Sequence, residues 1–434
     1  MTDIPASSPQ AAQTVRRTPR NLIQALEIDL RLFGMVVALA VIILGFGVMR
    51  SGFLQPINML NLAVQTCSIA ILATGMVMII VSRNIDLSVG SIVGVVGMTM
   101  AVLMARVLPQ WLGFEHPLLG PIAFTIGIAL GAFIGGVQGF LVAYIGIPSF
   151  VVTLGGLLAL RGMTWLITQG VTVGPVDPLF RNLGGTAQGS LGGPNSWVVG
   201  ALACVAIVGL LLYNRRQRQR FGFPLRPRWA EGLIAVVSCL VVLGGVYIAN
   251  SYLWPEGLAR RYAVERGIPI PPEGLRIEAG IPWPVIVLLG VTIVMTFIAT
   301  RRRFGRYVFA IGGNPEAAEL AGINTRWTVM KTFILMGVLA AISASIATAR
   351  LDSATLDLGE GYELYVIAAA VIGGTSFAGG IGTIPGAVLG ALVMSSLSYG
   401  LSFMGYSSPI QDIVAGAVLV AAVGLDSWNR RRST

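Results

Sequence analysis

Apolar residues in this chain neither alternate with polar ones nor recur at every third and fourth position. They come in unbroken runs of about 20 residues, parted by short connections rich in arginine, glycine and proline. Such a run, as a helix rising about 1.5 Å per residue, matches the ~30 Å hydrocarbon core of a bilayer. The pattern predicts spans over residues 33–49, 59–81, 87–106, 118–145, 150–168, 196–213, 230–250, 283–299, 327–347, 364–380, 384–403 and 409–425. The expected fold class is an all-α polytopic membrane protein with about 12 transmembrane helices. The tenth and eleventh share the stretch VIGGTSFAGGIGTIPGAVLG, whose glycines and proline predict a broken or re-entrant pair.

Composition agrees with this class: of 434 residues, 55% are hydrophobic, 11% are charged and 55 are glycine. Small residues let membrane helices approach backbone to backbone, where packing holds them together. The net charge of +10 would suggest nucleic acid for a soluble protein. Here the arginines cluster at the ends of apolar runs: Arg16, Arg17 and Arg20; Arg215, Arg216, Arg218 and Arg220; Arg301 to Arg303 with Arg306; Arg430 to Arg432. With twelve crossings every cluster falls on one side, which the positive-inside rule makes cytoplasmic. Nucleic acid is thereby excluded as a partner, and lipid headgroups are expected to meet the arginines.

The expected organisation is a cytoplasmic, disordered tail over 1–30, one transmembrane domain over 31–428 and a cytoplasmic tail over 429–434. Cys67, Cys204 and Cys239 all lie within apolar runs and read as packing residues. Two long outward segments follow the fifth and seventh spans, and the second balances four arginines with four glutamates. Its proline and glycine content fits an ordered cap over the bundle and a floppy loop equally.

One stretch departs from the greasy background. AIGGNPEAAELAGI, residues 310–323, sets two carboxylates and a helix start between two spans on the arginine side. Asn314 fits an N-cap, Pro315 the first helical position and Glu316 the positive end of the helix dipole; Gly322 fits the stop. A helix of about two turns is not stable alone and needs packing against something.

GGNPEAAELAGI resembles the cytoplasmic coupling motif of the permease subunits of bacterial ABC importers for monosaccharides. The resemblance extends in order through NIDLSVGSIVGVVG, IPSFVVTLGGLLALRG, RFGRYVFAIGGNPEAAELAGI and VIGGTSFAGGIGTIPGAVLGALV, covering most of residues 55–425. The extra pair of spans around NRRQRQRFGFPLRPRW is similar to the longer xylose-type permeases. The resemblance implies a homodimer in the bacterial inner membrane with both termini cytoplasmic. It implies two cytoplasmic ABC ATPase subunits, carrying ATP and Mg, and a periplasmic sugar-binding protein. The transported sugar would be D-xylose or a related pentose. Residues 312–323 would dock on the ATPase, through Gly312, Gly313, Asn314, Pro315, Glu316, Ala317, Ala318, Glu319 and Gly322.

A sugar path needs hydroxyls and amides that exchange hydrogen bonds without holding the sugar tightly. Candidates are Asn84, Asp86, Ser88, Ser91, Gln138, Thr153, Arg161, Thr375 and Ser376. Each also reads as an ordinary helix-packing residue: Asp86 as a helix cap or a partner of Arg83, Arg161 as a side chain snorkelling to headgroups. No G-x-x-x-x-G-K-[ST] phosphate loop, H-E-x-x-H or nucleophile with a base is present, so the chain itself is expected to hold no cofactor and to be no enzyme. A self-contained secondary transporter or channel is the alternative. Proton coupling generally uses intramembrane acids, and the predicted spans hold almost none.

Overall fold

The computed structural model describes residues 30–431 except 115, 186 and 272–274. The predicted N-terminal tail, apart from Leu30, lies outside the described residues, as do 432–434 of the C-terminal tail. Every predicted span contains a helix: α1 Leu30–Met49, α2 Pro56–Val81, α3 Val89–Val102, α4 Leu119–Phe140, α5 Ser149–Thr168, α6 Gly193–Arg220, α7 Arg228–Asn250, α9 Trp283–Arg301, α12 Thr325–Leu351, α13 Tyr362–Ile372, α14 Ile384–Phe403 and α15 Ser408–Arg431. Between these lie α8 Glu256–Glu265, α10 Arg303–Gly313 and α11 Pro315–Leu320. Ten helices among the described residues are long and apolar enough to cross a membrane.

The bundle is organised around α2 and α12, the two helices buried almost throughout, with α3 and α14 beside them and the rest outside. A helix that is apolar all round belongs in the centre, and PINMLNLAVQTCSIAILATGMVMIIV in α2 is such a helix. Close approach replaces hydrophobic transfer as the cohesive force. Gly127, Gly131, Gly135 and Gly139 form one stripe of α4; Gly127 meets Met100 of α3, and α12 lies against the other three. A Cβ at Gly131 would run into the Gly337 carbonyl, and one at Gly135 into that of Phe333. Some hydroxyls in this core bond across helices, as where the Ser343 hydroxyl donates to the Ser68 carbonyl at 3.1 Å.

Two features go beyond the predicted spans. The helix α6 continues through NRRQRQR instead of stopping at the end of its apolar run, since arginine and glutamine are good helix formers and cations suit a helix C-terminus. The tenth span is a helix only over Tyr362–Ile372, eleven residues or about 16 Å, half a bilayer. Residues 352–361 supply the other half, and Ile384–Phe403 is an unbroken helix. The expected break therefore falls on the tenth span alone.

Among the described residues, the long segments at the end opposite the arginine clusters are held together by backbone hydrogen bonds. The Leu191 amide donates to Ile281 at 3.0 Å, Gly192 to Ala279 at 2.9 Å and Trp254 to Ile277 at 2.8 Å. This pairing, between the two segments and within the second, fits a cap over the bundle for the residues described.

Candidate functional site

At the arginine end, α10 buries Val308, Ile311 and Gly312 on one face and delivers the chain to α11. The Asn314 side chain accepts from the Ala317 amide at 3.0 Å, and Pro315 opens the helix. At the other end the Ile323 amide donates to the Ala318 carbonyl at 3.1 Å, closing the helix over Gly322, whose φ is +80°. In α11 only Ala318 is buried; Glu316, Ala317 and Glu319 are exposed, and Leu320 is 89% exposed. Asn314→Ala should cost about 1 kcal/mol of local helix stability. Faster amide exchange at Ala317, with unchanged exchange in α12, would report it.

The knob is tied to the core by Arg83. This residue follows α2 with a φ of +64°, and its Nε and Nη2 donate to the carbonyls of Gly312 and Gly313, each at 2.8 Å. The last carbonyls of a helix carry partial negative charge and want such a cation. Arg83 is thus committed to the end of α10 and is no partner of Asp86. The irregular segment 373–383 joins the same knot: the Gly380 amide donates to the Val81 carbonyl at 3.0 Å. Gly312 has no room for a side chain, since a Cβ would meet the Val81 carbonyl and the Gly380 nitrogen.

A second cluster lies deeper, where two non-helical segments meet inside the bundle. Residues 82–88 rise from the end of α2 to α3, and 352–361 descend from the end of α12 to α13. The glycines of α3 let the descending chain lie against the helix. A Cβ at Gly90 would strike the Gly359 carbonyl and the Glu363 carboxylate, and one at Gly94 would sit 2.9 Å from the Leu358 carbonyl. Asp86 is 1% exposed; its Oδ1 accepts from the Ser88 amide at 2.9 Å and the Ser88 hydroxyl at 2.6 Å. Gln138 of α4 reaches the same hydroxyl at 2.9 Å. Thr153 of α5 donates to Ser149 at 2.9 Å and approaches the Ile85 carbonyl at 3.3 Å. Farther along α5, Arg161 is ion-paired with Glu360 at 2.6 Å. Asp86 Oδ2, Ser91 Oγ and Glu363 Oε2 are buried and have no hydrogen-bond partner.

The predicted path residues therefore divide. Asp86, Ser88, Ser91, Gln138, Thr153 and Arg161 are carried by α3, α4, α5 and the turn before α3. Asn84 turns back to Ser82 at 2.9 Å, and Thr375 and Ser376 belong to the 373–383 segment packed on Val77 and Val81. The model for the family described as branched-chain amino acid transport system, permease component, matches residues 58–423. The xylose transport system permease protein of Escherichia coli (strain K12) is 38% identical over 407 residues, 94% of each chain. That of Haemophilus influenzae is 37% identical over 93% of this chain and 98% of its own. The ribose import permease protein of Escherichia coli (strain K12) is 31% identical over 90% of this chain and 92% of its own.

This chain belongs to the permease family of bacterial ABC sugar importers. No solved structure matches it.

Sequence reasoning missed three charged groups of the permease. Glu360 and Glu363 stand in LGEGYELY, which patterning places in an exterior connection, although two acids so close in an acid-poor chain were a signal. Arg83 reads as a loop cation until its two carbonyl partners, some 230 residues away, are seen. The predicted spans do hold almost no acids, but an acid from outside them reaches the bundle. Asp86 and Glu363 both lie at the start of α3, where the Glu363 carboxylate reaches Gly90, because 352–361 runs along that helix, a path that apolar run lengths cannot show.

Proposed function

We propose that the permease is the translocation subunit of an ATP-driven, binding-protein-dependent importer of D-xylose or a related pentose in the bacterial inner membrane. It works as a homodimer with both termini cytoplasmic. ATP and Mg are held by ATPase subunits, each gripping one α11 from the cytoplasm, and a periplasmic sugar-binding protein docks on the cap. The observation that carries this reading is α11 itself: a capped helix outside the spans with two exposed carboxylates and Leu320 almost fully exposed. Such a helix is a handle. Closure of the ATPases on ATP moves it, Arg83 passes the movement to the end of α2, and the cluster around Asp86, Ser88 and Gln138 changes its exposure, which is alternating access between two discrete packings.

Xylose in particular is supported by the relatives, since the xylose permeases share 37–38% identity where the permease for another pentose, ribose, shares 31%. The chemistry agrees: neutral hydroxyls and an amide beside unpartnered carboxylate oxygens offer acceptors to sugar hydroxyls. The test is reconstitution of the permease with its ATPase and binding protein in liposomes, with uptake of labelled xylose, arabinose, ribose and galactose compared. ATP-dependent uptake of xylose above the others is expected; uptake of none of them would sink the reading. Glu316→Lys should lower uptake about tenfold, because it reverses a charge at both the helix N-terminus and the docking face, with normal membrane insertion.

The acids along α3 favour one further reading, proton-coupled transport by this chain alone, since intramembrane carboxyls serve proton relays. Vesicles holding only the permease, given a proton gradient and no ATP, separate the two. Accumulation there would establish the secondary transporter; none is expected.

A further inference from the structure

One continuous stretch, α5 with the outer segment 169–185 that follows it, holds the non-helical residues 352–361 at both ends. At the outer end the Val173 amide donates to the Ala354 carbonyl at 3.1 Å and the Ala354 amide to the Val173 carbonyl at 2.8 Å. Beside them the Val176 amide donates to Asp352 Oδ1 at 3.2 Å, and Arg181 pairs with Asp352 Oδ2 at 3.4 Å. At the inner end Arg161, about 10 Å below the last residue of α5, holds Glu360. Asp352 joins the two systems. It takes the left-handed position after α12, with φ of +52°, while the Ser353 amide donates back to the Thr348 carbonyl at 3.2 Å. Glycine is the usual occupant of that position. An aspartate there suits a carboxylate that the outer segment holds by both oxygens.

The joint is tight. Val173, Val176, Asp177, Phe180 and Ala354 are each at most 5% exposed. A Cβ at Gly174 would run into the Asp352 carbonyl, and one at Gly184 into the backbone of Ala349. Residues 352–361 are themselves folded on tight turns, the Glu360 amide donating to the Asp357 carbonyl at 3.0 Å. Val171 and Leu179 of the outer segment are exposed at the outer face. An outer mouth that opened by parting the two segments would strip the partners from the amides of Val173, Val176 and Ala354 in every cycle, and buried backbone groups without partners are costly. Moving the two together keeps each of them paired. We propose that 149–185 and 352–361 are one rigid lever, which carries the landing of the sugar-binding protein on the outer face to the Arg161–Glu360 pair inside the span, with Asp352 as its positioning residue. The lever rests on the reading of the chain as a binding-protein-dependent importer.

The full permease, reconstituted with its ATPase in liposomes, tests this. Asp352→Ala should cut the stimulation of ATP hydrolysis by sugar-loaded binding protein at least about tenfold, at unchanged basal hydrolysis, since it removes two hydrogen bonds to a charged acceptor. Val173→Cys with Ala354→Cys places two thiols on a hydrogen-bonded antiparallel pair, and such pairs keep their Cα atoms about 5.5 Å apart, within disulfide reach. Copper phenanthroline takes two electrons from the thiols, two protons go to water and the disulfide ties the joint, with wild type oxidised alongside. The tied protein should take up xylose at the rate of its reduced form. The same tie in Asp352→Ala should return the lost stimulation, which a residue needed only for folding would not allow. Uptake that stops on oxidation and returns on reduction would make the joint a gate and overturn the lever. So would full stimulation in Asp352→Ala, or a loss that the disulfide does not repair. Wild type unstimulated by any sugar-loaded binding protein would overturn the proposed function and the lever together; the other outcomes, with wild type stimulated, overturn the lever alone.

Discussion

Arg83→Ala should uncouple the transporter: uptake in reconstituted liposomes falls about a hundredfold while ATP hydrolysis still responds to sugar-loaded binding protein. The reason is geometric. Arg83 is the side chain that ties the carbonyls of both Gly312 and Gly313, the last residues before the handle, to the end of the most buried helix. Hydrogen bonds from a charged donor contribute about 1.5–3 kcal/mol each, so losing two removes at least about 3 kcal/mol of preference for the tied arrangement. That is roughly two orders of magnitude in its population. The handle keeps its own cap at Asn314 and can still be gripped, so hydrolysis should survive. Arg83→Lys offers one point charge in place of a fork and should restore only part of the uptake. If hydrolysis and uptake decline together, Arg83 is a folding residue and not a transmission element.

The second large effect is expected at Arg161 and Glu360. Their side chains are 39% and 55% exposed on a single chain, which for a soluble surface would make the pair worth little. Arg161 lies about 18 Å along α5, inside the span, where an ion pair must face water or another polypeptide. Either neighbour fits a path formed by two copies. Where a second copy encloses the pair, Arg161→Ala leaves the Glu360 charge buried and unpaired, at a cost of about 3–5 kcal/mol, so uptake should drop roughly a hundredfold or more. Arg161→Glu combined with Glu360→Arg should recover at least about tenfold of that loss, because the exchange restores opposite charges at the same separation. Additive damage in the exchanged protein, read as uptake at equal membrane abundance, would show that the two act separately.

Much of this was legible in the chain. Each of the twelve apolar runs contains a helix, because the length of an apolar run is a local property and the bilayer acts on it locally. The short helix at Pro315–Leu320 was legible for the same reason: cap, first-turn proline and stop glycine all act within a few residues of one another. Of the two local roles open to Asp86, helix cap or partner of Arg83, the second failed because nearness in sequence was its only guide. A backbone with φ of +64° at Arg83 sends its side chain the other way.

By itself, then, the sequence determined a helix in each apolar run, the arginine clusters at the ends of those runs, and the short capped helix at Pro315–Leu320, since each is fixed by residues adjacent in the chain. Only the tertiary structure decided that α2 and α12 form the centre, that the tenth span is helical over only eleven residues, that the described parts of the two outward segments pair, and that Glu363 reaches α3. Those outcomes depend on which backbones can approach, at Gly90 with Gly359 and at Gly131 with Gly337, and such fits between distant segments leave no periodic mark on either one.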